Sequence, residues 1–304
     1  MALLLVQTLN GLQLGIILFL ISAGLTLVFG VMNFVNLAHG AQYMVGAYLA
    51  AWLIGLTGNF WLGLALTLPA TLAFGLALEA LIYRHLYNRD PLDQILATFG
   101  LILFIDEGVK TIWGAEPISV DTPAALAGGV ALMPGLLYPI YRLALIGAGL
   151  AVAALLYLIV NHTRVGMRVR AGASNSAMIS ALGIDIGRLF LIVFGLGATL
   201  AGLAGALVAP ILSVEPGMGD SVLILVFVVI VIGGVGSIRG AFLGALLVGL
   251  IDTLGRAFGP ALLDLAMNPS AASQTGRSLT PMLIYLLMAG VLFVRPSGLF
   301  PVKR

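Results

Sequence analysis

Long apolar runs alternate along the chain with short polar or glycine-rich breaks. A helix needs roughly 20 mainly apolar residues to cross the ~30 Å hydrocarbon core of a bilayer. On that measure the pattern predicts spans over Thr8 to Phe29, Ala41 to Leu56, Phe60 to Tyr83, Gln94 to Trp113, Tyr138 to Val160, Leu189 to Leu212, Asp220 to Val235, Ala241 to Phe258 and Pro281 to Val294. Asp220 to Val235 and Pro281 to Val294 fall below spanning length unless their flanks are recruited, so one of the nine is a candidate re-entrant segment. The expected fold is an all-α polytopic integral membrane protein with eight or nine transmembrane helices. It forms a single domain over residues 1–304 that includes a cytoplasmic loop over 161–188. Met1 to Asn10 has no lysine or arginine and enters the first apolar run without a small-residue cleavage site, so it reads as part of a retained first span.

Composition agrees with lipid as the solvent. The 304 residues are 61% hydrophobic and 9% charged, with a mean hydropathy of +1.14, outside the range of a water-soluble domain. Thirty-nine glycines suit a bundle whose backbones approach closely. Cysteine is absent, which excludes disulfides, thiolate catalysis and cysteine-bound metals.

Charge gives the bundle an inside and an outside, because short cytoplasmic loops carry excess lysine and arginine. Arg84 and Arg89 share one loop, Arg164, Arg168, Arg170 and Arg188 a second, and Arg295, Lys303 and Arg304 the C-terminal tail. Gly114 to Leu137, with Glu116 and Asp121, and Ser213 to Gly219, with Glu215, are acidic and expected outside. Nine crossings with an external N-terminus and a cytoplasmic C-terminus satisfy this pattern; Arg142, at an outer helix end, and Arg277, in an outer loop, go against it.

Two turns then face the cytoplasm, Asn33 to Gly40 and Gly236 to Gly240. They share small-residue spacings, Gly30-Val31, Gly40-Ala41 and Gly46-Ala47 against Gly234-Val235, Gly240-Ala241 and Gly244-Ala245. Duplication and mere glycine abundance both account for that likeness. The first turn, Met32 to Tyr43, holds amides and one imidazole but no charged residue, as a water-lined route for a neutral or zwitterionic solute requires. The bland alternative is that Asn33 and Asn36 cap helix ends. Candidate pathway or inner-gate residues are Asn33, Asn36, His39, Gly40, Gln42 and Tyr43, with Gly234, Gly236 and Ser237 in the second turn. The glycine-rich Gly233 to Gly240 is no phosphate loop, because Lys110 and Lys303 follow valines rather than glycine.

Charged residues within spans default to functional candidates, but Asp106 and Glu107 lie near Lys110, and Asp252 precedes Arg256 by four, spacings that make same-face helix pairs. Glu79 is placed where it can reach the interface. His85 and His162 give His39 no metal-ligand spacing, so no metal or cofactor is expected.

Within the loop, Ala173, Ser174, Asn175, Ser176, Ala177, Met178, Ile179, Ser180, Ala181, Leu182 and Gly183 read as a short helix, with Ser174 or Asn175 as N-cap and Gly183 as its stop. Two turns of helix are marginal alone in water. Met178, Ile179 and Leu182 form an apolar stripe that either enters a partner's groove or packs on the protein's own helices.

Three blocks resemble the LivH-type permeases of branched-chain amino acid ABC importers. They are Gly24-Leu25-Thr26-Leu27-Val28-Phe29-Gly30-Val31-Met32-Asn33-Phe34-Val35-Asn36-Leu37-Ala38-His39-Gly40; Arg164-Val165-Gly166-Met167-Arg168-Val169-Arg170-Ala171 leading to Leu182-Gly183-Ile184; and Gly233-Gly234-Val235-Gly236-Ser237-Ile238-Arg239-Gly240-Ala241. The resemblance implies a non-enzymatic permease subunit in the cell (inner) membrane. Its implied partners are a second related permease, two cytoplasmic ATP-binding subunits and an external solute-binding protein. It also implies that Ala173 to Gly183 is the coupling helix that docks on an ATPase. Ser174-Asn175-Ser176 lacks the acidic residue common there, and Asp106-Glu107 stands where amides are usual. Urea or a short amide is therefore the alternative solute, and an ion-gradient-driven transporter or a non-transporting membrane subunit the alternative class.

Overall fold

The computed structural model describes residues 1–264 and 268–301. Eleven helices are described: α1 Ala2–Met32, α2 His39–Thr57, α3 Phe60–Leu81, α4 Pro91–Trp113, α5 Ile140–His162, α6 Arg164–Ser174, α7 Ser176–Ala181, α8 Ile186–Val208, α9 Met218–Gly233, α10 Ile238–Leu263 and α11 Pro269–Val294. Every expected span coincides with a helix. Five stretches are long and apolar enough to cross a membrane, Ala2–Met32, Phe60–His85, Ile140–His162, Ile186–Val208 and Ile238–Leu263; Met218–Gly233 and Leu279–Val294 are shorter apolar segments. The fold is that of a polytopic membrane protein.

Of the two short candidates, α11 recruits its upstream flank and reaches 26 residues. Helix α9 stays at 16, about 24 Å at 1.5 Å per residue. Arg277 consequently falls within α11 and not in an outer loop, a correction to the sequence expectation, which had started that helix at Pro281.

The chain divides into two compact units, one built from Met1–Phe19, Ala125–Leu150 and the described part of Leu225–Val302, the other from Leu20–Ala124 and Ala151–Ile224. In the second unit α2, α3 and α8 pack on one another. Glycine makes that seam: a Cβ on Gly46 would stand 2.2 Å from the Gly202 Cα, and one on Gly205 would stand 2.1 Å from the Tyr43 carbonyl oxygen. Small residues allow this approach in lipid, where helix association relies on close packing. The Thr67 and Thr71 hydroxyls in α3 donate to the carbonyl four residues back, at 2.8 and 2.9 Å, which satisfies both donors in apolar surroundings. The two acidic segments meet in this unit, since Ile118 and Val214 exchange backbone hydrogen bonds of 2.8 and 2.9 Å.

In the first unit α1 packs its Gly11 and Gly15 on Leu250 and Leu246 of α10, and α10 pairs with α11. A two-stranded hairpin, β1 Gly129–Met133 with β2 Leu136–Pro139, occupies part of what the sequence suggested was plain loop. Arg142, expected at an outer helix end, donates to Asn10 Oδ1 at 2.8 Å, an oxygen that also accepts from the Tyr138 hydroxyl at 3.1 Å. A specific partner thus accounts for a cation outside the general charge pattern.

Candidate functional site

Helix α1 ends where Asn33 adopts a left-handed φ of 52°, the only positive φ at a non-glycine among the described residues. Asparagine tolerates that conformation better than most residues. The following chain turns inward: Phe34, Asn36, His39, Gln42 and Tyr43 are all buried, while Asn33 is exposed. Asn36 caps no helix. Its Oδ1 accepts from the Tyr83 hydroxyl at 3.1 Å, and the neighbouring Val35 amide donates to Gln94 Oε1 at 3.2 Å. Gln94 Nε2 in turn donates to the carbonyls of Leu86 and Arg89. The His39 Nε2 lies 3.0 Å from the Ile21 carbonyl, and Gly40 packs on Gly219, where a Cβ would stand 2.4 Å from the carbonyl oxygen. Four of the six candidates in this turn, Asn36, His39, Gln42 and Tyr43, therefore sit with at most 2% of their surface exposed.

Around the turn stands an aromatic group that the sequence reading did not single out. Phe34 meets Tyr83 at 5.4 Å and Tyr87 at 5.6 Å, both edge to face. Tyr83 lies 4.5 Å from Phe194, and Tyr87 lies 5.3 Å from Phe190. Gln94 was legible as an amide within an apolar span. The rings were not, because isolated aromatics in membrane helices usually face lipid or neighbouring helices.

Glu79, near the end of its span, is 2% exposed, and partners come to it. Arg84 Nη2 lies 3.1 Å from Glu79 Oε2 and the Tyr87 hydroxyl donates to Oε1 at 3.2 Å. A carboxylate in that environment requires such pairing. Burial, followed by the Glu79 charge, pushes the Tyr87 phenol above its ordinary range. Of the pairs read within spans, Glu107–Lys110 and Asp252–Arg256 close at 2.7 and 2.8 Å, while Asp106 accepts from the Gly217 amide at 3.2 Å.

The second turn lies in the other unit. Gly234 and Gly236 have φ of 102° and 82°, and Ser237 caps α10 by accepting from the Gly240 amide at 3.1 Å. The Leu299 and Phe300 amides donate to the carbonyls of Ile232 and Gly233 at 2.9 and 3.0 Å, so the tail is strapped across the end of α9.

The loop between α5 and α8 contains two helices rather than one. Helix α6 starts at a Thr163 cap whose hydroxyl accepts from the Gly166 amide, and it buries Gly166, Val169 and Gly172 on one face. Its arginines had disguised an amphipathic helix as loop. Ala173 and Ser174 end it. Asn175 caps α7, accepting from the Met178 amide at 2.9 Å, Ser180 and Ala181 complete that helix, and Gly183 follows with φ of 84°. Ala177 lies in α7, its side chain outside the described residues. Met178 and Leu182 are 61% and 68% exposed, so within this chain the stripe is mostly uncovered.

The run of apolar spans around a buried, uncharged turn defines a polytopic integral membrane protein. The chain belongs to the family described as branched-chain amino acid transport system, permease component, whose pattern matches residues 7–293. It is 31% identical over 263 residues to the high-affinity branched-chain amino acid transport system permease protein BraD of Pseudomonas aeruginosa, covering 82% of this chain and 85% of that one. The corresponding LivH protein of Escherichia coli is 28% identical, covering 83% and 86%. The ribose import permease protein RbsC of E. coli is 26% identical, covering 77% and 72%. No solved structure shows a significant match.

Proposed function

We propose that this chain is the membrane subunit of an ATP-driven importer of leucine, isoleucine and valine. It works in the inner membrane with a second related permease, two cytoplasmic ATP-binding subunits and an external solute-binding protein. The substrate reading is carried by the similarity to BraD and LivH over more than four-fifths of the chain. The exposed apolar stripe on α7, beside a cap and a stop that fix its length, supports the reading of Ala173 to Gly183 as the ATPase-coupling element. Candidate pathway residues are Asn33, Asn36, His39, Gly40, Gln42 and Tyr43 in the second unit; Gly234, Gly236 and Ser237 are candidates in the first unit, taken by themselves. Because most of the first turn is buried, solute meets it only after the turn opens, as alternating access between two conformations requires.

The N-terminus is external and the C-terminus cytoplasmic. The pairing of the two acidic segments through Ile118 and Val214 supports placing both on one face. The absence of cysteine makes the orientation directly testable: a single cysteine at Asp121 should react with a membrane-impermeant maleimide from outside intact cells, and one at Arg188 only after permeabilisation. The function is tested by uptake into proteoliposomes. Labelled leucine should enter only with the ATP-binding subunits and internal conditions that let them turn over. Leucine uptake that persists without them refutes the reading, and uptake of ribose or urea in its place reassigns the solute.

A further inference from the structure

We propose that Tyr87 and Phe190 are positioning residues that carry displacement of α7 to the inner turn. This rests on the reading that Ala173 to Gly183 meets the ATP-binding subunits. After α7 the chain passes Gly183 and the Asp185 cap and enters α8, so Phe190 stands in the first turns of the helix that α7 would push. Its ring meets Tyr87 at 5.3 Å and 84°. Tyr87 meets Phe34 at 5.6 Å and 84°, and Phe34 is a fully buried residue of the inner turn itself.

A parallel set of contacts lies four residues further along α8, where Phe194 meets Tyr83 and the Tyr83 hydroxyl donates to Asn36. Tyr83 and Phe194 are core residues, whereas Tyr87 and Phe190 are only partly buried; the outer pair is the one free to transmit without holding the fold. The Tyr87 hydroxyl donates to Glu79 Oε1 at 3.2 Å, a bond separate from the ring contacts. Helix α6 adds a second point of contact: a Cβ on Gly172 would stand 2.8 Å from Leu189 and 3.6 Å from Val31, the latter in the last turn of α1 before the inner turn. Packed rings resist compression, so movement of the α8 start is delivered to Phe34 and not absorbed between them.

The test uses the full transport complex in proteoliposomes, with leucine uptake and ATP hydrolysis measured on the same vesicles. Phe190→Ala is expected to lower leucine moved per ATP by about two- to tenfold, the range of one lost aromatic contact, while the ATP-binding subunits stay bound and hydrolyse at the wild-type rate. Tyr87→Ala should do the same, with the double variant no worse than either single. Tyr87→Phe, which keeps the ring, should retain the wild-type ratio. An unchanged ratio in Phe190→Ala, additive losses, or a proportional fall in uptake and hydrolysis overturns the proposal, the last being the mark of a merely destabilised subunit. Phe190→Leu supplies the same comparison with a side chain that keeps the apolar volume. Failure of the docking reading looks different: Met178→Asp would then leave the ATP-binding subunits bound.

Discussion

Gly46 is the position where a single methyl group should do the most measurable damage to the α2–α8 seam. A Cβ there would lie 2.2, 2.4 and 2.7 Å from the Cα, carbonyl oxygen and carbonyl carbon of Gly202. Carbon contacts become favourable only at about 3.5 Å, so α2 and α8 must part locally by about 1.3 Å, the difference between about 3.5 and 2.2 Å. All three atoms are backbone, and no rotamer change relieves them. The same seam carries the Gly205 contact with Tyr43, which separation would loosen. Overpacking of this kind costs about 1–3 kcal/mol. Gly55, on the same helix, has nothing within 4 Å of its Cβ position and serves as control, because alanine brings both sites the same gain in helix propensity, about 1 kcal/mol at most. Gly46→Ala should therefore unfold at lower SDS mole fraction than Gly55→Ala in mixed micelles, by an amount equivalent to about 1–3 kcal/mol. Coincident unfolding curves for the two variants would refute the close-approach argument.

Three further outcomes follow from named contacts. Arg84→Ala should destabilise more than Glu79→Gln in the same titration, by about 1–3 kcal/mol, because the first leaves a buried carboxylate unpaired while the half-exposed arginine left by the second still reaches water; equal effects would contradict the burial asymmetry. Asn175→Ala removes the α7 cap and should weaken that helix by about 1 kcal/mol, read as a loss of affinity for the ATP-binding subunits with the fold unchanged by circular dichroism. The raised Tyr87 pKa means that the folded state holds the phenolic proton more tightly than the unfolded one; this contribution is complete below pH ~10 and lost as pH rises through the raised value, so Tyr87→Phe should flatten the alkaline limb of the stability profile.

Hydrophobic run length alone placed a helix at each expected span, five of them long and apolar enough to cross a membrane, since spanning a bilayer imposes one length and one polarity on each helix. The capped α7 was legible too, because Asn175 and Gly183 act locally. Helix α6 was not: an excess of arginine reads as loop, while its buried face consists of Gly166, Val169 and Gly172, two of which contribute no hydrophobicity. The hairpin at Gly129–Pro139 was hidden in a segment judged by charge. The partners of Glu79 were not legible, because a sequence shows that a carboxylate is near a span's end but not that Arg84 and Tyr87 fold back over it. The ring contacts of Phe34, Tyr87 and Phe190 join residues more than fifty apart in the chain, and no local pattern records which ring meets which.

Those nonlocal contacts also bear on why the inner turn is uncharged. On the proposed reading the turn must leave its buried position and return in every cycle. A buried ion pair separates at the cost of desolvated charge, several kcal/mol for each ion, which would hold a gate shut. Neutral hydrogen bonds contribute only about 0.5–1.5 kcal/mol net and edge-to-face rings about 0.5–1.5, so the contacts of Asn36 with Tyr83, Val35 with Gln94 and Phe34 with its two tyrosines can be exchanged for others at little net cost. Glu79 and Arg84 stand just outside this group, on the element against which the turn closes. Charge is thus concentrated where the structure has to stay fixed, and uncharged polar and aromatic contacts where it has to move.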